Sequence, residues 1–415
     1  MAMVADAAPG AADRRPGRSL PGLDDCPARS RPAAAESLMK LDLAVLTLLA
    51  AALVSWLVGQ TRPPQHAIGT IGLATVLGDA PEHFRRVTGP EPLVFPDDHG
   101  AHPDYRSEWW YFTGNLDDDQ GQRMGFQFTL FRFALNQPQG ARSAWASEGL
   151  WMAHLALSDG RSQSFFQAER FARDGLALAG ATAERWWLRD WMVEATEDGW
   201  HLYADAGDFA LDLHFRLSRA LVLQGDAGYS RKGPEAGNAS RYYSATRLAS
   251  SGRVRVGDAW VSVSGLAWLD REWGSNQLSD TLSGWDWFAL HLDDGRDLMV
   301  YRLRDHEGQA SEWSAGALVD SDGTAQILRA DDFVTEAIDW WRDPDGHRWP
   351  LSWRVQLPDH GLDLLVEPIF EDQLWTRSVR YWEGMMDVTD PASRAPLGRG
   401  YLELSGYAES SPSRH

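Results

Sequence analysis

The chain is short of most side chains and motifs by which familiar chemistries are recognised. Its 415 residues contain one cysteine, Cys26, in a leader that reads as unstructured. A disulfide framework and a CxxC-type site are thereby excluded from the folded part, and the redox compartment stays open. Positive charge is scarce as well: 39 Lys and Arg stand against 59 Asp and Glu, a formal charge of −20. A phosphate backbone needs a basic stripe and none is visible, so nucleic acid and anionic membrane surfaces are poor partners. The acidic balance serves solubility in any case. There is no GxSxG elbow, phosphate loop or HExxH pair, so no serine nucleophile, nucleotide cradle or zincin site is signalled. Helical periodicity is nearly missing; it predicts helices only at residues 81–87 (PEHFRRV), 183–189 and 331–340.

What is present is aromatic and alternating. Hydrophobic residues make up 44% of the chain, ample for a large core, and 21 of them are tryptophan. Indoles favour half-polar concave surfaces where the N–H finds a partner, so the count suits a ligand wall as well as barrel packing. Beyond residue 90 the period is two. EWWYFTGNL, DDDQGQ and RMGFQFTLFRF read as strand, turn and strand, with Met124, Phe126, Phe128 and Leu130 on one face. In HLYADAGDFALDLHFRL, Phe209, Leu211, Leu213 and Phe215 oppose Ala210, Asp212, His214 and Arg216.

Residues 1–38 read as a disordered leader, and the Met39-Lys40 pair resembles a signal-sequence start. Residues 41–59 then run apolar with one charge, Asp42. Nineteen helical residues rise about 28 Å, close to a bilayer's hydrocarbon thickness. Residues 39–60 are therefore expected to be a signal peptide or membrane anchor of an exported protein, periplasmic or extracellular.

The chain also repeats itself. WWYFTGNLDD at Trp109 is echoed by WDWFALHLDD at Trp285, an offset of 176 residues. WMAHLALSDG at Trp151 is echoed by WSAGALVDSDG at Trp313. YYS at Tyr242 followed by VSVSGLA is echoed by YWE at Tyr381 followed by YLELSGYA. Echoes in one order argue for a duplicated β unit. The boundaries are expected at residues 90–275 and 276–411, each copy being long enough to curl into a barrel around a cavity. A pair of sandwiches is the rival. The long loop QGDAGYSRKGPEAGNASRYYS is expected over a mouth or between the units.

FPDDHGAHPDYRSEWWYFTGNL, LQGDAGYSRKGPEAGNASRYYS, GLAWLDREWG and GWDWFALHLDDGRDLMVYRL resemble the AttH/CrtC family over about residues 90–411. The resemblance implies an all-β chain of two consecutive lipocalin-like antiparallel barrels. It also implies hydration of a terminal carbon–carbon double bond, as in carotenoid 1,2-hydratases, with no cofactor and no metal. Two other readings stay open: a non-catalytic carrier of a lipid or isoprenoid, and a pericyclase-like template enzyme.

Alternation within WLDREWG puts Trp268, Asp270 and Glu272 on one strand face and Leu269, Arg271 and Trp273 on the other. Asp270 and Glu272 are the candidate catalytic residues, one as the acid and the other as the base that positions water: a carboxyl group in an apolar site keeps its proton. Alternatively they pair with Arg271 or Arg106 as a salt-bridged barrel end. Trp268, Trp273, Trp110, Glu108, Arg106, Tyr243, His291 and Trp287 are the candidate ligand contacts, around a hydrophobic small molecule. Where family members carry Asp-His-Glu, this chain has Asp270-Arg271-Glu272, and arginine passes no proton. Arg106, Glu108 and Trp110 share a face, which makes Arg106–Glu108 a candidate partner set for the two acids. His99, His102, Asp97, Asp98 and Asp104 offer either metal-type ligands or a hydrogen-bonded loop plugging the first barrel. His154 and His291 sit on apolar strands, as satisfied core residues or facing a cavity.

Overall fold

The alternating segments become strands, and the strands sort into two sheets. The structure, a computed structural model, describes residues 83–135, 148–276 and 278–408. The leader, Cys26 and the apolar run 41–59 lie outside the described residues, among which no helix is long and apolar enough to cross a membrane.

The first sheet opens with β1 (Ser107–Asp118), β2 (Arg123–Ala134), β3 (Gly149–Asp159) and β4 (Ser164–Arg173). It continues through β5 (Ala179–Ala181), β6 (Arg185–Leu188), β7 (Trp191–Ala195), β8 (Gly199–Asp205) and β9 (Phe209–Leu217). It closes with β10 (Val222–Leu223), β11 (Tyr229–Arg231), β12 (Ala239–Val256) and β13 (Ala259–Gly274). The spatial order is β4-β3-β2-β1-β13-β12-β9-β8-β7-β6-β5. The sheet curls until Arg170 of β4 lies over the Trp191 ring of β7 at 4.2 Å and donates to Asp205 O of β8.

The second sheet holds β14 (Leu282–Leu292), β15 (Asp297–Asp305), β16 (Ala315–Val319), β17 (Ala325–Arg329) and β18 (Val334–Arg342). It is completed by β19 (Arg348–Leu357), β20 (Leu362–Pro368), β21 (Leu374–Thr376), β22 (Arg380–Thr389) and β23 (Pro396–Ser405). Its order is β17-β16-β15-β14-β23-β22-β20-β19-β18, a half-barrel beside the nearly closed first one. The architecture is all-β and double lipocalin-like.

Three apolar layers hold it together. Phe112, Phe126, Phe128, Leu155, Leu213 and Trp186 fill the first barrel. Phe288, Trp349, Trp353, Trp382 and Leu402 fill the second. A third layer, including Tyr111, Phe131, Met152, Trp268, Trp287 and Met385, lies between the sheets. The seam is tight: a Cβ on Gly125 of β2 would stand 3.0 Å from Met385 Cβ of β22. Polar bonds cross it too, Asn115 Nδ2 donating to Gly400 O and Ser158 Oγ to Gln373 Oε1. Arg219 and Arg247 of the first half both bind the buried Asp297 of the second.

The three predicted helices are absent. Residues 83–87 form a turn and irregular chain, because Phe84 packs on Ala134 and Val87 on a different cluster with Tyr105. Residues 185–188 are β6, with Trp186 and Leu188 buried and Arg185 exposed. Residues 334–342 are β18, where Val334, Thr335 and Ile338 favour strand geometry, after a short 3-10 turn at Ala330–Asp332.

Candidate functional site

Among the described residues both barrel interiors are filled by apolar side chains, and the best-formed cavity is not inside either barrel. The cavity lies in the seam instead, with about 790 Å³ of empty space including its open mouth. Its walls come from both sheets: Trp109, Phe131, Trp285, Trp287, Leu278 and Leu303 supply the apolar surface. Four tyrosines (Tyr111, Tyr242, Tyr301 and Tyr381) add phenols, and Lys232, Asp270, Glu272, Glu383 and Glu403 add charge. The long glycine-rich loop contributes Lys232 and ties the halves by a 2.9 Å bond between Ser230 Oγ and Tyr301 Oη.

Asp270 and Glu272 line this cavity from β13, as their shared strand face requires. Each is already held. Asp270 accepts from Tyr242 Oη at 2.5 Å, Ser244 Oγ at 2.5 Å and Trp268 Nε1 at 2.7 Å. Burial pushes its carboxyl up to about 6 against those three donors. Glu272 accepts from Ser240 and pairs with Lys232 Nζ at 3.0 Å. Burial works against the Lys232 charge, but Glu272 and Tyr301 outweigh it and leave the ammonium above its ordinary value. The ammonium also lies 4.3 Å from the Tyr301 ring centre.

A second acid pair, Glu383 and Glu403, was not anticipated. The two are direct register partners on β22 and β23 and both face the cavity. Tyr111 Oη donates to Glu383 at 2.5 Å and Trp285 Nε1 to Glu403 at 3.2 Å. Burial raises Glu383 well above the carboxylate range, and the neighbouring Glu403 charge adds to it. Glu403 is pushed up to about 7, first by burial and then by the charges of Asp270 and Glu272, against hydrogen bonds from Trp285 and Tyr111. Opposed carboxyls that are both raised in this way favour sharing a proton near neutral pH.

The duplication carries the signal for this pair. Tyr111 faces Asp270 across β1–β13, and Trp287, its counterpart in the echo, faces Glu403 across β14–β23. Ser244 likewise faces Asp270, and Glu383 faces Glu403. The equivalent of WLDREWG is therefore YLELSGY, residues 401–407, rather than the VSVSGLA alignment suggested by the echo. Asp270 and Glu403 are copies of one position, brought into one cavity.

Several expected contacts are elsewhere. Trp287 lines the cavity and Trp268 stands behind Asp270. His291 is off the wall; its Nε2 lies 2.7 Å from Thr246 O. Trp110, Glu108, Trp273, Arg106 and Tyr243 lie outside the cavity. Odd and even positions on β1 and β13 point to opposite faces, and Trp110, Glu108, Arg271 and Trp273 have the parity of the far one. There Glu108 binds Arg132 at 2.9 Å and Arg271 at 2.5 Å, and the Arg271 guanidinium lies 3.9 Å from the Trp110 ring centre. Burial opposes the Glu108 charge, but these two arginines hold it far below the usual carboxylate range. Arg106 bonds Ala134 O, and Tyr243 Oη lies 2.6 Å from His99 Nδ1. Neither Arg106 nor Arg271 pairs with Asp270 or Glu272.

The DDHGAHPDY segment plugs the end of the first barrel. Trp110 Nε1 donates to His99 O, Arg271 to Gly100 O, and His102 stacks on Trp273 at 3.9 Å. His102 and His99 are spent on Asp98 and Tyr243, so no ligand set converges there. Among the described residues the group with converging metal-type ligands is His201, Asp212 and His214 on the outside of the first sheet, and Arg253 already binds that aspartate.

Comparison with known proteins agrees with the fold. No curated protein matches the chain. A solved AttH structure from Nitrosomonas europaea is similar over 78% of this chain and 100% of its own, with 36% identity and a TM-score of 0.71. Kievitone hydratase from Nectria haematococca shares the fold, at 14% identity and a TM-score of 0.57 over 80% of this chain and 98% of its own. The AttH-like family matches residues 86–407. The chain belongs to the AttH-like family.

Proposed function

We propose that the protein is a cofactor-independent acid–base enzyme of the hydro-lyase type, adding water to a carbon–carbon double bond of an apolar molecule held in the seam. The observation that carries this reading is the Glu383–Glu403 pair, directly opposed on β22 and β23 and open to the cavity, Glu383 buried and Glu403 half-buried, with burial raising both carboxyls. In the reaction a carboxyl O–H of the pair passes its proton to the CH carbon of the terminal double bond, and the dimethyl-substituted carbon becomes a tertiary cation. Water forms the new C–O bond and gives up a proton to a base. The indole faces of Trp109, Trp285 and Trp287 suit the cation, by about 0.5–2 kcal/mol each when dry. Asp270 and Glu272, with their oxygens engaged, act as the fixed negative field opposite that cation rather than as the acid.

The substrate favoured by this reading is an acyclic isoprenoid of carotenoid type, whose end group enters the cavity while its chain leaves by the mouth. An exported or membrane-anchored setting is part of the proposal and rests on the apolar run 41–59. The test is incubation of the full chain with an acyclic carotenoid in ¹⁸O-labelled water. Labelled tertiary alcohol is the expected product. A Glu383→Gln, Glu403→Gln double variant that turns over undiminished would remove the pair from the mechanism. Tight binding with no product in the unaltered protein would favour the carrier reading.

A further inference from the structure

The cavity has an acid but, with Asp270 and Glu272 engaged, no obvious acceptor for the proton that attacking water must lose. Tyr381 lines the cavity from β22. Its hydroxyl lies 2.8 Å from Nδ1 of His154, which reaches across the seam from β3. On the other side of that ring, Nε2 is 3.1 Å from Glu169 Oε1 on β4. Ser378 Oγ donates to the same Glu169 oxygen at 2.5 Å. His154 is fully buried, whereas the Glu169 side chain retains 12% exposure. The three groups thus run from the cavity wall, through the seam, to the solvent side.

We propose that Tyr381 is the base of the cavity and that His154 and Glu169 are positioning residues that relay its proton to the surface. The proposal rests on the hydration reading for its substrate, not for its geometry. The step balances as follows. The Tyr381 oxygen accepts a proton from the adding water as its own phenolic proton moves to His154 Nδ1. The Nε2 proton passes to Glu169, which releases it to solvent. To reset the site, a solvent proton returns through Glu169 to Nε2 as the Nδ1 proton goes back to Tyr381, whose other proton passes to the neighbouring Glu383 and restores the acid spent on the alkene.

Three features support this direction. Glu169 Oε1 lies 3.1 Å from Nε2 but off the direction of an N–H there, so a small turn of the carboxylate completes the bond that puts the proton on Nε2 and leaves Nδ1 as the acceptor facing Tyr381. Burial keeps the ring neutral, outweighing the pull of Glu169, so Nδ1 takes the phenolic proton only as Nε2 gives up its own. The ring is clamped between Trp375, stacked at 4.2 Å, and Phe131, edge-on at 5.1 Å, which keeps Nδ1 on Tyr381. The titratable groups facing His154 are Tyr381 and Glu169, with Glu383 two residues along β22.

The test has two arms on the full chain. In ¹⁵N-histidine NMR, His154 is expected as the neutral Nε2–H tautomer, and Tyr381→Phe should shift its Nδ1 resonance. A Nδ1–H tautomer or a charged ring at pH 7 would overturn the relay whether or not any carotenoid is hydrated. In the turnover arm, Tyr381→Phe should lower kcat roughly a hundredfold or more, with little change in affinity for the neutral probe N-phenyl-1-naphthylamine. Glu169→Gln should lower kcat and flatten its pH dependence, and Glu169→Asp should restore part of both. Full activity in Tyr381→Phe, or identical pH profiles for Glu169→Gln and the unaltered protein, would overturn the proposal. If the unaltered protein hydrates no carotenoid, the hydration reading fails and the tautomer alone decides the relay.

Discussion

Glu383 and Glu403 stand directly opposite one another on β22 and β23, two carboxyls sharing one wall of the cavity. Like charges in that position are costly, so the arrangement stores instability that a purely structural protein has no use for. Removing it separates function from folding. Glu403→Gln should raise the thermal midpoint while lowering hydration at least a hundredfold, the range general acids contribute. Calorimetry and product assay on one preparation check both signs.

The same groups set a pH dependence. Glu403 is raised from 4.5 to about 7 and Asp270 from 3.8 to about 6 in the folded chain. The folded state therefore binds more protons than the unfolded one between about pH 4 and 7. Stability from these groups is complete below pH 4 and is lost as pH rises through 6 and then 7, on the order of 3 kcal/mol for Glu403. Glu108 runs the other way, stabilising at neutral pH and failing only in strong acid. Urea midpoints should fall from pH 5 to pH 8, and Glu403→Gln should flatten that slope.

With Glu403 as the donor of the pair, hydration falls as pH rises past about 7, whereas with Glu383, held well above the carboxylate range, it persists to higher pH. A kcat profile rising through that range would exclude Glu403 as the donor.

Arg271 faces away from the cavity, and its exchange for a histidine bears on the first barrel rather than on the reaction. Arg271→His should leave ligand-probe affinity unchanged and destabilise the chain by about 3–5 kcal/mol. Glu108 would lose its shorter ion pair and Trp110 its stacked guanidinium. A gain of hydration activity in that variant would contradict the geometry.

Met385 is fully buried in the seam against Gly125. Met385→Ala should cost about 2–5 kcal/mol and weaken probe binding, since it loosens the contact that frames the cavity. Leu402→Ala, in the second barrel's own core, should destabilise without changing probe affinity.

Much of this was legible in the residues. The period of two placed Asp270 and Glu272 on one face and Arg271 on the other, and the echoes announced two related sheets. The cavity's place was not legible. β1 is buried on both faces through most of its length, so alternation shows which residues share a side but not which side meets the ligand. Glu383 and Glu403 were hidden for a related reason. The echo aligned their strand with VSVSGLA, and only the ladder registers reveal that Glu403 repeats Asp270. His154 looked like an ordinary core histidine because its partners are supplied by Glu169 on the adjacent strand and by Tyr381, more than two hundred residues away. The helices failed where aromatic and β-branched residues mimicked a short helical period.

Because each barrel is packed with its own side chains, the space for chemistry is left to the joint between them. Substitutions along that joint exchange one guest or reaction for another while both oily centres keep the chain folded. A duplicated scaffold of this kind can diversify its catalysis cheaply, since the parts that must not change and the parts free to change are on opposite sides of the same strands.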